Sequence, residues 1–334
     1  MNNFNEKMFS KQTNIGSIIK RKQTNEGVEQ KFWITYNGKK YLYKIDDERN
    51  LGFGELFYCY LGQKLGFDCV NAYPAYDTKT NTKGVIIESF KPNGERSLSL
   101  KDLIRFCCPF FSCQDYACYF SYQEFMRMEK TLKTAKLEYE QNLGEKFKAL
   151  VLIDYLLGQT DRHDLNMEFL LVKSQNSKNI ILKMAPLFDN GRAMGLPTIS
   201  SDTFEELIED AQDTVPSLGI SDDRPMCFPM NADATKKVTK YIAEAILNDK
   251  NLRVLYNKFA SLDIRKEIEN VNKITKYGMT EKEITYMTEY YNQRMQLLNA
   301  LIVEIQNDKK ADEMQMQILD DNQNMGEEYD KGIL

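Results

Sequence analysis

Alternating polar and apolar residues run through the amino-terminal part of the chain and predict short β-strands there. The dipeptide Asn37-Gly38 separates two such runs, and Asn-Gly is the pair that two-residue hairpin turns favour. The runs cover residues 32–36 and 40–44. Lys44 ends the second run on the face opposite its two tyrosines. The pattern therefore predicts a hairpin with Lys44 on one face.

A helix and two further strands follow the hairpin in the pattern. Residues 54–66 carry apolar side chains at helical spacing and end at Gly66, a typical residue to close a helix. Residues 70–75 and 84–90 are typical of strands, and Pro92-Asn93-Gly94 supplies a turn after them. The amino-terminal part is therefore predicted to be β-rich, with one helix.

Helical periodicity replaces the strand pattern from residue 99 onward, apart from one strand pair described below. The predicted helices cover residues 100–106, 114–122, 125–142, 144–157, 204–212, 232–247, 251–262, 264–271 and 281–305. In the last of them Ile284, Met287 and Tyr291 begin an apolar stripe. We interpret this stripe as a packing face and favour that over a coiled coil. Strands followed by helices predict an α+β fold.

Composition bounds the class of protein. With 334 residues and 42% hydrophobic content the chain can bury the core of two lobes. Its 44 basic and 49 acidic side chains leave it mildly acidic, which argues against a general nucleic-acid or anionic-membrane binder. The amino terminus has no apolar signal segment, and no long apolar run occurs. We expect a cytoplasmic protein, and export without a cleaved signal stays open.

The seven cysteines are odd in number and form no paired C-x-x-C motifs. They therefore indicate neither a disulfide framework nor a zinc site. Four of them lie in the aromatic-rich stretch 106–120, which lacks histidine and is more typical of a core or lobe interface than of a metal site. Reduced thiols are expected.

Residues 155–191 concentrate the acid, amide and imidazole chemistry of the sequence. Polar residues precede two predicted strands, 169–172 and 180–184, and an acidic turn follows them. This order brings Asp161, Asn166 and Asp189 to one end of a small hairpin. Their carboxylate and amide oxygens suit magnesium and phosphoryl transfer. The alternative is that they are turn formers that cap the hairpin.

The motif D-R-H-x-x-N at residues 161–166, followed by A-P-L-F-D at residues 185–189, resembles the HipA-like serine/threonine kinases, including their short cell-translocating branch. It is more distantly similar to the phosphoinositide 3/4-kinase-like group. The resemblance implies a two-lobed kinase-like α+β fold that binds ATP and Mg²⁺. By this resemblance Asp161 positions the acceptor hydroxyl and receives its proton, while Asn166 and Asp189 hold the metal.

The same resemblance assigns the nucleotide-binding residues. The phosphate-binding loop is implied at Gly27, Val28, Glu29, Gln30 and Lys31, after Thr24 at the position of a regulatory autophosphorylated serine. Lys44 is implied to hold the α- and β-phosphates. Glu55 either pairs with Lys44 or stabilises its own helix terminus. The strand that ends at Glu88 and Phe90 is implied to form the adenine-binding hinge.

Two residues near the catalytic motif have two interpretations each. His163, the only histidine, is either a general base or, as the family pattern favours, a group that braces the loop near the phosphates. Asp154 either braces the loop through Arg162 or is an exposed helical residue. The sequence leaves the second choice open.

The resemblance also sets the expected organisation and function. We expect a flexible amino terminus (1–14), a nucleotide-binding β-rich lobe (15–92), a helical lobe with the catalytic and metal-binding loops (93–306) and an acidic disordered tail (307–334). The expected activity is that of a monomeric kinase, an effector or toxin, acting on a protein with a serine or threonine acceptor and having an antitoxin-like partner. No nucleic-acid or membrane contact is expected. The rival functions are a nucleotide-binding pseudokinase and a lipid kinase.

Overall fold

The amino-terminal lobe is a six-stranded sheet. The structure is a computed structural model that describes residues 5–16, 21–23, 30–46, 50–91, 96–107, 130, 132–133, 138–159, 161–162, 165–173, 180–198 and 232–331. The strands are β1 (Thr13–Asn14), β2 (Arg21–Gln23), β3 (Lys31–Tyr36), β4 (Lys39–Ile45), β5 (Ala72–Asp77) and β6 (Thr82–Glu88). Their order in the sheet is β1-β5-β6-β4-β3-β2, and only the β1–β5 pair among them is parallel.

The predicted hairpin is present as β3 and β4. Its turn residues Asn37 and Gly38 both have positive φ angles, 49° and 75°, as the two-residue hairpin turn requires. Tyr41 and Tyr43 share the predicted face and are buried in a small cluster with Ile34 and Ile86. Lys44 lies on the opposite face, because successive side chains alternate along a strand.

A helix, α1 (Leu51–Leu65), covers the lysine-bearing face of this sheet. Residues 51–62 of α1 are all buried, and Gly66 ends the helix with a φ of 96°. A helix that is apolar on all sides must be enclosed on all sides. The sheet therefore covers one side of α1 and the helices of the second lobe cover another.

The carboxy-terminal lobe combines helices with a small sheet. Its strands are β7 (Arg96–Ser99), β8 (Glu138–Tyr139), β9 (Glu168–Lys173) and β10 (Ile180–Met184), in the order β7-β9-β10-β8. Its helices are α2 (Leu100–Cys107), α3 (Leu143–Leu156), α4 (Ala232–Asn248), α5 (Lys250–Ala260), α6 (Ile264–Thr275) and α7 (Glu281–Lys331). The antiparallel β9–β10 pair is the predicted hairpin.

One core joins the two lobes. Helix α6 lies against α1, where Lys64 pairs with Glu267 at 2.7 Å and Asn270 donates to the Tyr60 hydroxyl at 2.9 Å. The apolar stripe of α7 is buried, with Met287 and Leu298 fully enclosed, so the packing interpretation of this stripe is confirmed. The predicted two-lobed α+β fold is also confirmed.

Two predicted segments differ from the structure. Residues 138–142, predicted as helix, form strand β8 and a turn, because Glu138 and Tyr139 pair in parallel with Ile181 and Leu182. Residues 307–331, predicted as a disordered tail, continue helix α7. They are rich in Lys, Glu, Gln and Met, which favour helix, although side chains 306–315 are all exposed.

Several predictions fall on residues that the structure does not describe. They are the predicted helices 114–122 and 204–212, most of 125–142, and the cysteine-rich stretch beyond residue 107. Among the helices of the described ranges, none combines the length and the apolar character needed to cross a bilayer.

Candidate active site

Lys44 lies between two carboxylates from different parts of the chain. Its Nζ atom is 2.8 Å from Glu55 Oε2 on α1 and 2.6 Å from Asp189 Oδ1, which follows β10. Glu55 is fully buried and the Lys44 side chain is 7% exposed. Glu55 is in the second turn of α1, which begins at Leu51, so pairing with Lys44 and not end-capping explains its position. The two lobes therefore meet at one ammonium group.

Asp189 is held as a carboxylate. Burial alone would raise its pKa, but the Lys44 and Lys31 ammonium groups outweigh burial and keep the pKa of Asp189 below its usual range. Lys31, from strand β3, has its Nζ 3.9 Å from Asp189 Oδ2. The backbone of Asp189 has a φ of 56°, a left-handed conformation that Asp tolerates better than most residues. A charged carboxylate is thus fixed at the junction of the lobes.

A buried polar network supports this junction from below. Asn190 donates from its backbone N–H to Glu55 Oε2 at 2.9 Å, and its side-chain oxygen accepts from Arg162 Nη2 at 2.5 Å. Arg162 also binds both carboxylate oxygens of Asp154, at 3.0 and 3.2 Å. All four side chains are fully buried. The Asp154–Arg162 brace, which the sequence left open, is therefore confirmed.

The charge of Arg162 is secured by this pairing. Burial disfavours the guanidinium charge, but Asp154 more than compensates and raises the pKa of Arg162 above its ordinary value. Arg162 also donates to the Phe188 carbonyl at 2.6 Å. The guanidinium therefore ties the start of the loop that carries Asp161 to the segment that carries Asp189.

Gln159 brings the two catalytic segments together. Its side-chain nitrogen donates to the Asp189 carbonyl at 2.8 Å, and its side-chain oxygen accepts from the Asp161 N–H at 3.3 Å. Asn166 in turn donates to the Asp161 carbonyl at 2.8 Å. The Gln159 side chain thus bridges the backbones of Asp161 and Asp189, and the Asn166 side chain binds the Asp161 backbone. These contacts join the three segments, and joint metal binding by Asn166 and Asp189 stays a prediction.

The loop between α3 and Asp161 begins at a position where the structure requires glycine. Gly158 follows α3 with a φ of 60°, and a Cβ atom there would lie 2.2 Å from the Tyr290 hydroxyl oxygen. Only glycine satisfies both the backbone conformation and the close approach of α7. This turn directs Gln159 and Asp161 toward the lobe junction.

The donor set suits a hard cation only in combination with a phosphate ligand. Among the described residues no group of three His, Cys, Asp or Glu side chains lies close enough to hold a metal. Asn166 uses its side-chain nitrogen on Asp161, so its side-chain oxygen is the atom that can face a cation. Mg²⁺ commonly takes one or two protein oxygens and completes its shell with water and phosphate oxygens. The residues present therefore fit Mg²⁺ bound together with a nucleotide.

The predicted hinge lies at the end of β6. The N–H groups of Glu88 and Ser89 already donate to the carbonyls of Asn71 and Lys40, at 2.8 and 2.9 Å. Adenine contacts at this hinge would therefore use the carbonyl groups or the backbone of Phe90. The Phe90 ring lies 5.0 Å from that of Phe188, between centroids. The Glu88 side chain accepts from Lys39 and Asn71, so in the predicted hinge only the backbone of Glu88 would be left for adenine.

Some predicted site residues lie outside the described residues. They are Thr24, Gly27, Val28, Glu29 and His163. Gln30 and Lys31 of the same predicted loop are described, and the Gln30 carbonyl accepts from the Ile45 N–H at 3.1 Å. The roles assigned to all of these residues stay predictions.

Sequence reasoning did not single out Gln159 and Asn190. Both are neutral polar residues close to a motif: Gln159 lies two residues before Asp161, and Asn190 directly follows Asp189. Their partners are up to 135 residues away along the chain, so local pattern alone gives no pairing. A neutral amide within two residues of a charged motif residue was the available signal.

Comparisons with known proteins agree with this geometry at the level of the fold. No protein-family model matches the chain, and no curated protein matches it. The crystal structure of the Helicobacter pylori proinflammatory kinase CtkA is similar, with a TM-score of 0.54, 14% identity, and coverage of 88% of this chain and 98% of that chain. The structure of HipA of Shewanella oneidensis MR-1, solved with HipB and operator DNA, has a TM-score of 0.48 and 14% identity. The match covers 86% of this chain and 66% of that chain. The chain therefore has the two-lobed kinase-like fold that the CtkA structure has.

Proposed function

We propose that the chain is an ATP- and Mg²⁺-dependent serine/threonine protein kinase of the HipA-like type. The observation that carries the proposal is the position of Lys44 Nζ between Glu55 and Asp189, at 2.8 and 2.6 Å. A buried lysine aimed at the carboxylate of the opposite lobe is what phosphate binding in a kinase cleft needs.

Each residue has a defined task in this proposal. Lys44, aligned by Glu55, neutralises phosphate charge, and Lys31 adds a second cation on the same side. Asn166 and Asp189 would hold Mg²⁺, which supplies further neutralisation of the phosphates when bound. Asp161 orients the acceptor hydroxyl and receives its proton. Arg162, Asn190 and Gln159 are positioning residues that touch neither substrate nor metal.

The finer assignments belong to the same proposal. The acceptor is a serine or threonine hydroxyl of a protein, and autophosphorylation at Thr24 is one such event. An antitoxin-like partner and a toxin or effector role are proposed from the HipA-like resemblance. Their support is the resemblance of the motifs, which is strongest at residues 158–166 and 185–189.

The test is phosphoryl transfer from radiolabelled ATP with Mg²⁺ or Mn²⁺ in the wild type and single variants. Asp161→Asn is nearly isosteric but cannot accept the proton, so turnover should fall by roughly 10²–10⁴-fold while nucleotide affinity is kept. Lys44→Met should lower both the turnover and the nucleotide affinity. Lys40→Met is the matched control, because Lys40 is on the same strand but exposed over the Trp33 ring.

The outcomes separate the rival functions. Label on serine or threonine of the protein itself or of a lysate protein supports the proposal. Nucleotide binding without transfer under either metal would indicate a pseudokinase. Transfer to phosphoinositide vesicles and not to protein would indicate a lipid kinase.

A further inference from the structure

One cationic side chain reaches the catalytic carboxylate from the segment after Asp189. Of residues 190–195, all are buried except Arg192, whose side chain is 41% exposed. Its Nε atom lies 3.7 Å from Asp161 Oδ2. The guanidinium therefore sits beside the group proposed to receive the acceptor proton.

The backbone on both sides of Arg192 is fixed. Asn190 is anchored to Glu55 and Arg162, as described above. The Met194 N–H donates to the Leu157 carbonyl at 2.5 Å, and Ala193 and Met194 are fully buried. The Tyr286 hydroxyl donates to the Gly195 carbonyl at 3.3 Å. Anchors two residues before and two residues after Arg192 hold its Cα in place, so only its side chain is left to move.

The Arg192–Asp161 pair is easily separated. Both side chains are about two-fifths exposed, and water screens the attraction between exposed charges, so such a pair is weak. A ligand that offers a stronger anion can therefore take the guanidinium at small cost. Arginine is suited to such an exchange, because its planar fork binds two phosphoryl oxygens at once.

We propose that Arg192 is a catalytic residue that binds the oxygens of the phosphoryl group in transfer, as an arginine finger supplied by the chain itself. The inference rests on the proposed kinase function. The acceptor oxygen forms a bond to the γ-phosphorus as its proton passes to Asp161. The bond from that phosphorus to the β,γ-bridging oxygen breaks, and ADP leaves with the electron pair. The phosphoryl oxygens carry more negative charge than one carboxylate, so the guanidinium moves from Asp161 to these oxygens when the nucleotide is bound, as its exposed pairing with Asp161 allows.

The test compares Arg192→Gln and Arg192→Lys with Arg265→Gln in the full chain. Arg265 is a matched control, because it is 38% exposed and pairs with Glu269 on the surface. Arginine fingers contribute ~10³–10⁵-fold to turnover. We expect Arg192→Gln to lower kcat by at least about 100-fold with an unchanged ADP affinity, Arg192→Lys to recover part of it, and Arg265→Gln to match the wild type.

A second measurement keeps folding and chemistry apart. Thermal stabilisation by MgADP alone should be equal in the wild type and Arg192→Gln, whereas the extra stabilisation by aluminium fluoride, which mimics the phosphoryl group in transfer, should be lost. If kcat stays the same or rises, or if ADP affinity falls as much as kcat, Arg192 is not catalytic. A wild-type protein without any transfer would instead refute the proposed function itself.

Discussion

The backbone N–H of Asn190 donates to Glu55 Oε2, the same oxygen that accepts from Lys44 Nζ. The acid that pairs with Lys44 is therefore held by the residue directly after Asp189. Through its side chain Asn190 reaches Arg162 in the catalytic loop. One neutral amide thus links helix α1, the Asp189 segment and the catalytic loop, and the consequences of removing it can be measured.

Asn190→Ala should destabilise the protein and slow phosphoryl transfer. The substitution keeps the backbone N–H but removes the side-chain bonds of Asn190 to Arg162 and to Glu55 Oε1, the latter at 3.3 Å. Each buried partner then has one hydrogen bond fewer, which costs about 1–3 kcal/mol of unfolding free energy. Urea unfolding measures the loss. Asn257→Ala, on an exposed position of α5, is the control and should stay within about 0.5 kcal/mol of the wild type. Equal effects of the two substitutions would contradict the assigned role.

Arg162→Met should lower the stability of the protein more than Asn190→Ala does. It leaves the Asp154 carboxylate fully buried without its cation, and removing one partner of such a pair costs about 3–5 kcal/mol. The Tyr58 hydroxyl, which donates to Asp154 at 2.6 Å, cannot replace the charge. Chemical denaturation of Arg162→Met, of Asp154→Leu and of the double variant provides the measurement. The double variant should lose less stability than the two single variants lose in sum.

The matched control for Arg162 is Arg265→Met. Arg265 also pairs with carboxylates, Glu269 and Glu281, but its side chain is exposed. Exposed pairs contribute about 0–1 kcal/mol, so this variant should be close to the wild type in stability. A large loss in Arg265→Met, or none in Arg162→Met, would show that burial does not decide the contribution.

Asp189 makes the stability of the folded protein depend on pH in the acid range. Its pKa in the folded state lies below the ordinary value of 3.8 because Lys44 and Lys31 favour the carboxylate over the effect of burial. A depressed native pKa means that the unfolded chain binds the proton first, so the contribution is full above about pH 4 and declines as pH falls further. The stability difference between the wild type and Asp189→Asn should therefore shrink as the pH falls below about 4. Asp312→Asn, exposed on α7, should show no such trend.

Local patterns were sufficient for most of the amino-terminal lobe. The Asn37-Gly38 turn, the alternation of Tyr41 and Tyr43 and the end of α1 at Gly66 are each determined by neighbouring residues, and the structure has all of them. Strand β8 was missed, because a two-residue strand has no period and its partner, β10, is about 40 residues further along the chain. The predicted helix before it was therefore extended too far.

The candidate site likewise combines residues that the local pattern singles out with residues that it does not. The motif residues Asp161, Asn166 and Asp189 stand out by type and spacing, and the side chains of Gln159 and Asn166 join the segments that carry them. The polar groups that join them, Gln159 and Asn190, act between segments that only the tertiary fold brings together. Whether Asp154 was buried could not be decided either, because an acidic residue in an apolar helix is tolerated both at a surface and beside a buried arginine.

Cys59 and Cys69 should resist modification in the folded protein. Both are buried, and burial raises the pKa of each thiol well above its ordinary value, so the reactive thiolate is scarce at neutral pH. Iodoacetamide at pH 8 followed by peptide mass spectrometry should find both unmodified in the native state and alkylated in urea. Native alkylation of Cys59 would mean that α1 separates from Asn190, whose side-chain nitrogen is 3.5 Å from the Cys59 sulfur.

Tyr277 tests whether the second lobe fixes the position of α1. Its hydroxyl donates to Asp46, which in turn accepts from the Gly52 N–H at the start of α1 at 3.0 Å. Its ring lies 5.5 Å from that of Phe53, so Tyr277→Phe removes the hydroxyl and keeps the ring packing.

We expect Tyr277→Phe to cost about 1–2 kcal/mol of stability and to weaken nucleotide binding, because α1 carries Glu55 and Glu55 aligns Lys44. Calorimetric titration with ADP and Mg²⁺ measures the second effect. Tyr76→Phe is the control, since Tyr76 is an exposed tyrosine of the same lobe as α1. Loss of stability without any loss of ADP affinity would show that the contact braces the fold alone and that the lysine keeps its position without it.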